Sequence, residues 1–72
     1  MWLAEVDTRH FHFEGIGQTK QEAETRLRRA LRLHAIQYSI GDTERWIRTE
    51  AEGMQVRLLM TGSYRDRERL DR

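Results

Sequence analysis

The sequence contains no cysteine, no long apolar run and only one lysine among its thirteen basic residues. Without cysteine, the chain has neither a disulfide framework nor a thiolate metal site to reinforce it. No apolar run approaches the roughly 20 residues that a membrane-spanning helix needs. Residues 1–5 turn acidic without the basic and then apolar segments of a secretion signal. We therefore expect a cytoplasmic protein that does not enter a membrane.

The length of the chain predicts a single domain over residues 1–72. A chain this short buries only about 60% of the surface that its unfolded form exposes, so helix–sheet packing, or formation of a homodimer, must supply the burial. No spacing presents a nucleophile together with a base and a group that orients the base. We predict a protein that is not an enzyme and needs no cofactor.

Charge is distributed unevenly along the chain, although the net charge is only +1. Residues 1–25 carry a net charge of −3, and residues 26–40 carry +4. Arginine suits planar contacts to carboxylates and phosphates, but a GC-rich genome produces the same preference. A net charge near zero makes nucleic acid the second choice of partner, after protein.

Period-two alternation predicts a β-hairpin at the start of the chain. Its first strand covers residues 1–7, its turn is Asp7-Thr8-Arg9, and its second strand runs from Arg9 to Glu14. Gly15 and Gly17 then permit positive φ and a close approach where the chain leaves the sheet. The predicted inner face of the hairpin consists of Trp2, Ala4, Val6, Phe11 and Phe13.

The clearest local signal predicts a helix that begins at Thr19 and ends at Gly41. Thr19 and Glu22 form a capping box, and Gly41 is placed to end the helix in the left-handed conformation. One stripe of the helix is apolar, as a core-facing helix requires. It consists of Ala23, Leu27, Ala30, Leu31, His34 and Tyr38.

Residues 42–61 are predicted to add a short helix and a third strand. Asp42 can cap a helix through about Ala51; a strand over Arg45–Ala51 competes, but sparse β-branching favours the helix. Alternation predicts a strand over residues 54–61 that ends at Gly62, and residues 63–72 are either a tail or an edge strand. The fold class is α+β, with a mainly antiparallel three-stranded sheet packed on one long helix. Its predicted contacts join Leu27, Leu31 and Tyr38 to Val6, Phe11, Phe13, Val56 and Leu58.

Two groups of side chains lie outside this predicted core. Leu33, Ile36 and Ile40 lie on a different side of the long helix. Either the next segment folds back over them, or they form an apolar patch for a partner or a second copy of the chain. His10, His12 and Glu14 share one face of a strand, which suits zinc but equally suits the polar face of an amphipathic strand. We favour the polar face and predict no metal site.

The segment Gly17-Gln18-Thr19-Lys20-Gln21-Glu22-Ala23 resembles the Gly-x-Thr-x-x-Glu-Ala segment of HicB-type antitoxin domains, within a similarity of about thirty residues. The resemblance implies a small sheet packed on one helix that blocks a partner by binding it. The stretch 13–23, with Ala30-Leu31, is also similar to the start of the second helix in double-stranded-RNA-binding domains. That similarity implies phosphate contacts at the helix N-terminus and Lys20.

These observations predict a small binding protein that masks a protein partner, as an inhibitor or antitoxin does. Phage and mobile-element inhibitors, including anti-CRISPR proteins, share this size and style. Arginine beside exposed apolar side chains is typical of binding hot spots, so the predicted partner-binding residues are Arg28, Arg29, Arg32, Leu33, Ile36 and Ile40. The alternative is an RNA- or DNA-binding module that contacts phosphates through Lys20, Arg26, Arg29, Arg32, Arg65 and Arg67.

Overall fold

In a computed structural model, which describes residues 1–59, the chain forms three β-strands and two α-helices. The hairpin of β1 (Trp2–Asp7) and β2 (His12–Gly17) is followed by α1 (Lys20–Gln37), α2 (Thr43–Ala51) and β3 (Gln55–Leu58). The sheet is antiparallel with the strand order β2-β1-β3, so the first strand of the chain is the central one. The predicted α+β class and the order of the elements are confirmed. Neither helix is both long enough and apolar enough to cross a membrane.

The hairpin turn spans Thr8 to Phe11, which is longer than predicted. The backbone N–H of Thr8 donates to the carbonyl of Phe11 at 2.8 Å, and the Phe11 N–H donates to the Thr8 hydroxyl at 3.3 Å. Because the turn includes these residues, β2 begins at His12 and Phe11 lies outside the sheet with 47% of its surface exposed. The second strand of the predicted hairpin is confirmed, but it runs from His12 to Gly17 and not from Arg9 to Glu14. The inner-face position of Phe11 is wrong.

Gly15 and Gly17 lie inside β2, although the sequence placed them where the chain leaves the sheet. Neither has a positive φ; what excludes a side chain is the backbone of α1. A Cβ on Gly15 would stand 2.4 Å from the carbonyl oxygen of Ala23 and 2.4 Å from the nitrogen of Leu27. The expected close approach is confirmed, and it seats α1 directly on β2.

The core lies between the inner face of the sheet and the two helices. Leu27 and Leu31 are its largest fully buried side chains. Tyr38 is 57% exposed and Leu58 is 58% exposed, so the prediction that they join the core is wrong. Tyr38 is the residue that follows α1 and caps its end. The core cluster consists of Ala4, Val6, Ala23, Leu27, Leu31, Ile47 and Ala51, with Trp2, Phe13, Trp46, Met54 and Val56 packed against it.

The connection between the helices differs from the prediction at both ends. The left-handed residue after α1 is Ser39, with φ 53°, and not Gly41. The N–H of Ile40 donates to the carbonyl of Ala35 at 2.9 Å, which closes the end of the helix. Asp42 occupies the N-cap position of α2, but its side chain makes no capping hydrogen bond; the Thr43 hydroxyl instead donates to the carbonyl of Ile40 at 3.0 Å.

The predicted helix through Ala51 is confirmed, and the competing strand over residues 45–51 is wrong. Strand β3 is shorter than the predicted span of residues 54–61, because pairing with β1 covers only Gln55–Leu58. Residues 60 and 61 of that span, and the predicted tail or edge strand over residues 63–72, lie outside the described residues.

Candidate binding surface on helix α1

The start of α1 is fixed by a network that joins it to β2. The Glu22 N–H donates to the Thr19 hydroxyl at 3.0 Å, and the Glu22 carboxylate accepts from the Gln18 N–H at 2.6 Å. Arg26 donates to the carbonyl of Ile16 at 2.7 Å and to Glu22 at 3.3 Å. The Thr19 half of the predicted capping box is confirmed, whereas the Glu22 carboxylate accepts from Gln18, one residue before the cap. The network joins the start of α1 to the end of β2.

Arg29, Leu33 and Ile36 lie on the side of α1 that points away from the core, and we call them the outer face. Leu33 and Ile36 are each 64% exposed. Residues three and four apart are neighbours on a helix surface, so the three side chains adjoin. The alternative that the next segment covers them is wrong for residues 1–59, since α2 contributes Ile47 and Ala51 to the core instead. Ile40 is half-buried in the connection between the helices and does not belong to the outer face.

Arg28 and Arg32 line a different feature, a groove of about 430 Å³ between α1 and α2. Arg32 forms a two-pronged ion pair with Glu44, and its Nη2 lies 3.1 Å from Oε1. That pair raises the pKa of Arg32 and lowers the pKa of Glu44 from their ordinary values. Arg28 lies 3.7 Å from Glu24, one turn earlier on α1. The predicted partner-binding set is thus divided between the outer face, this groove and the interhelical connection.

Of the residues predicted for nucleic-acid binding, Arg26 and Arg29 line one cavity beside the start of α1, but Lys20 and Arg32 are not part of its lining. Arg26 is held toward β2 by Ile16 and Glu22, whereas Arg32 is held toward α2 by Glu44. Lys20 is the first residue of α1, and Arg29 lies on the outer face. Arg65 and Arg67 lie outside the described residues.

A second polar cluster occupies the opposite face of the sheet, around His12. Its Nδ1 lies 2.6 Å from Asp7, and its Nε2 lies 3.0 Å from Glu14 and 3.5 Å from Glu5. Hydrogen bonds to Asp7 and then Glu14 raise the pKa of His12, with smaller contributions from their charges, while desolvation opposes the rise. His10, which the sequence grouped with His12 and Glu14, lies in the turn before β2.

Glu5 and Asp7 are the members of this cluster that sequence reasoning missed. The register of the hairpin pairs Glu5 with Glu14 and Asp7 with His12. That register depends on the length of the turn, and the turn was predicted one residue too short and ending too early. With a predicted turn from Thr8 to Phe11, the register would have placed Asp7 opposite His12 and Glu5 opposite Glu14, so both carboxylates would have been predicted near His12.

His34 lies among four aromatic rings near the end of α1. The ring centroids of Tyr38, Phe11 and Phe13 lie 4.6, 4.7 and 5.1 Å from that of His34, and Trp46 stacks on it at 5.6 Å. Contacts of this kind between edge and face are favourable. The cluster joins the hairpin turn, α1 and α2.

Comparison with known proteins gave no match to a protein-family model, a curated protein or a solved structure. The resemblances to HicB-type and double-stranded-RNA-binding domains therefore stay predictions.

Proposed function

We propose that this chain is a small non-enzymatic binding protein that masks a protein partner with the outer face of α1. The observation that carries the proposal is the pair Leu33 and Ile36, each 64% exposed on the same side of one helix. Burying a side chain of this size contributes about 1.5–3 kcal/mol. An association that covers both residues therefore gains free energy that the isolated chain does not realise.

The spacing of the outer face supports a particular mode of recognition. Arg29, Leu33 and Ile36 stand at positions i, i+4 and i+7 of α1, which is the spacing of a helix that lies in a partner's groove. The partner would provide an apolar groove for the two aliphatic side chains. An acidic group at the end of that groove would meet Arg29.

The state of the neighbouring arginines supports Arg29 as the charged contact. Arg26, Arg28 and Arg32 each form an ion pair with a glutamate, at distances of 4.0 Å or less. Among residues 1–59, no carboxylate forms such a pair with Arg29. Arg29 can therefore bind a partner's carboxylate without breaking a contact within the described part of the chain.

The inhibitor or antitoxin type rests on the resemblance to HicB domains and on the small size of the chain. Phage and mobile elements, with anti-CRISPR proteins among their products, are the sources that we would examine first. We place the protein in the cytoplasm because it lacks cysteine and so has no disulfides, which extracellular domains of this size commonly need.

The test is capture of partners from a lysate of the native host with the tagged full chain, followed by mass spectrometry. We expect Arg29→Glu and Ile36→Asp to abolish recovery of the partner that the unaltered chain retains. The matched control is Ile16→Asp, because Ile16 is also an exposed aliphatic residue but lies in β2. Circular dichroism melts establish that each variant is folded.

Three results would favour a different surface or a different partner. Recovery of the same partner by Ile36→Asp and the unaltered chain would show that another surface is used. Recovery of RNA or DNA with an affinity that falls steeply with salt would favour the nucleic-acid module instead. Sedimentation of a dimer that Ile36→Asp dissociates would identify a second copy of the chain as the occupant of the outer face.

A further inference from the structure

The polar face of the hairpin brings one imidazole and two carboxylates to a common point. Ligand atoms of Glu5, His12 and Glu14 all lie within 4.8 Å of one another. The three side chains come from two adjacent strands, and Glu5 stands directly opposite Glu14 in the register. Like charges in directly opposite positions destabilise a sheet. Arg57, at 3.3 Å from Glu5, offsets part of this repulsion, and a cation between the two glutamates would offset more of it.

The separations between the ligand atoms match a small tetrahedral metal ion. Zinc binds imidazole nitrogen and carboxylate oxygen at about 2.0–2.2 Å, which places tetrahedral ligand atoms about 3.4 Å apart. The Nε2 of His12 lies 3.0 Å from Glu14 Oε2 and 3.5 Å from Glu5 Oε1. Two of the three separations are thus close to the tetrahedral value, and the third, between the two glutamates, is at most 4.8 Å.

Asp7 orients the imidazole in the way that such a site requires. A carboxylate only accepts hydrogen bonds, so the His12 Nδ1, at 2.6 Å from Asp7 Oδ1, carries the proton. By the same argument Nε2, at 3.0 Å from Glu14 Oε2, carries a proton in the metal-free chain. Zinc binding releases this proton and uses the lone pair that it leaves on Nε2, the nitrogen that faces the two glutamates. A histidine ligand of zinc commonly donates its other N–H to a carboxylate, which fixes the tautomer and the ring orientation.

We propose that Glu5, His12 and Glu14 form a zinc-binding site on the exposed face of the hairpin, with Asp7 as the residue that positions His12. Arg57 contacts the other oxygen of Glu5, Oε2, at 3.3 Å, which leaves Oε1 for the metal. The fourth ligand is water, since the cluster faces solvent. A bound ion ties β1 to β2 and neutralises the repulsion between Glu5 and Glu14.

The competing occupant of this position is a proton. With Nε2 protonated, His12 becomes an imidazolium that donates to Asp7 and Glu14 at the same time. The two occupants exclude each other, because a histidine binds zinc only through an unprotonated nitrogen. The experiment is therefore run at two pH values, and the affinity for zinc should be higher at the more alkaline one.

The test is a zinc titration of the full chain, followed by NMR of the histidine rings and by calorimetry. We expect one zinc ion per chain, with shifts at the His12 ring, and an increase in Tm because zinc binds the folded chain. His12→Gln and Glu14→Gln should each lower the affinity at least about tenfold, and Asp7→Asn by about tenfold. The matched control is His10→Gln, which alters an exposed histidine two positions away and should bind as the unaltered chain does.

Three outcomes would overturn the site. The absence of any zinc-dependent shift at the His12 ring would show that the cluster does not bind zinc. An equal loss of affinity in His10→Gln and His12→Gln would place zinc on the turn and not on the sheet. Retention of full affinity by Glu14→Gln would show that the carboxylates contribute nothing. Because Tm is measured in the same titration, a variant that has merely lost its fold is recognised directly.

Discussion

The two sides of α1 carry similar aliphatic residues but have different fates. On the inner side, Leu27 and Leu31 are fully buried against the sheet and α2, whereas Leu33 and Ile36 on the outer face are each 64% exposed. The side chains differ little in size or hydrophobicity. What differs is the surface across from them, which shows that amphipathic spacing alone does not tell whether a second apolar stripe is covered.

The inner side is covered because small residues in the middle of the sheet let α1 approach it closely. Gly15 in β2 and Ala4 in β1 face each other in the register, and the backbone of α1 crosses close to Gly15. The aliphatic side chains of α1 therefore reach the sheet without a gap. The outer face meets no such surface within residues 1–59.

The largest expected effect is the difference in stability between two single variants, in which one leucine on each side of α1 is replaced by alanine. Leu27→Ala removes atoms from a packed core and should lower the free energy of unfolding by about 3 kcal/mol. Leu33→Ala removes the same atoms from an exposed position and should change that free energy by no more than about 0.5 kcal/mol. Urea denaturation of both variants measures the difference. Equal losses would show that Leu33 is covered in the folded chain.

The next effect tests the close approach between α1 and β2. Gly15→Ala introduces a Cβ 2.4 Å from backbone atoms of Ala23 and Leu27, and helix or strand must shift at a cost of about 2 kcal/mol. Gly41→Ala is the control, because no atom lies within 4 Å of its added Cβ and its φ is not positive. We expect Gly41→Ala to leave thermal stability unchanged or slightly raised. A tolerated Gly15→Ala would contradict the packing described here.

The smallest expected change in stability comes from the N-cap of α1, on which the inner side and the outer face both depend. Thr19→Ala removes the acceptor of the Glu22 N–H and should cost about 1 kcal/mol. Thr25→Ala alters an exposed threonine within the helix, where alanine is the better helix former, and should cost nothing. Thermal melts of the two variants distinguish capping from a general effect of losing threonine. Similar melts would mean that the cap is unimportant.

The architecture could be predicted from the sequence where strong local patterns agreed. Alternation identified the strands, and the Thr19–Glu22 box located the start of α1 to the residue. Turn geometry was harder, because the mutual hydrogen bonds of Thr8 and Phe11 leave no glycine or asparagine signature. The end of α1 was also missed, since Ser39 rather than a glycine adopts the left-handed conformation.

The candidate sites could be predicted only as far as they lie within one element. Arg29, Leu33 and Ile36 were identified together because all three belong to α1. The sequence grouped Arg28 and Arg32 with them, but it could not show that Arg32 pairs with Glu44, because that contact depends on how α2 packs against α1. Glu5 and Asp7 reach His12 only through the register of two strands, so the sequence suggested His10 in their place.

The central position of β1 has a consequence for the order in which the chain is made. Its β2 edge can be paired as soon as residues 12–17 have been synthesised, but its other edge waits for residues 55–58. Closing a loop of this length is slower than forming a hairpin, so the β3 edge pairs late during synthesis on the ribosome. Until then, β1 presents unpaired backbone groups to any neighbouring strand, which makes the nascent chain most vulnerable to aggregation just before its last described strand emerges.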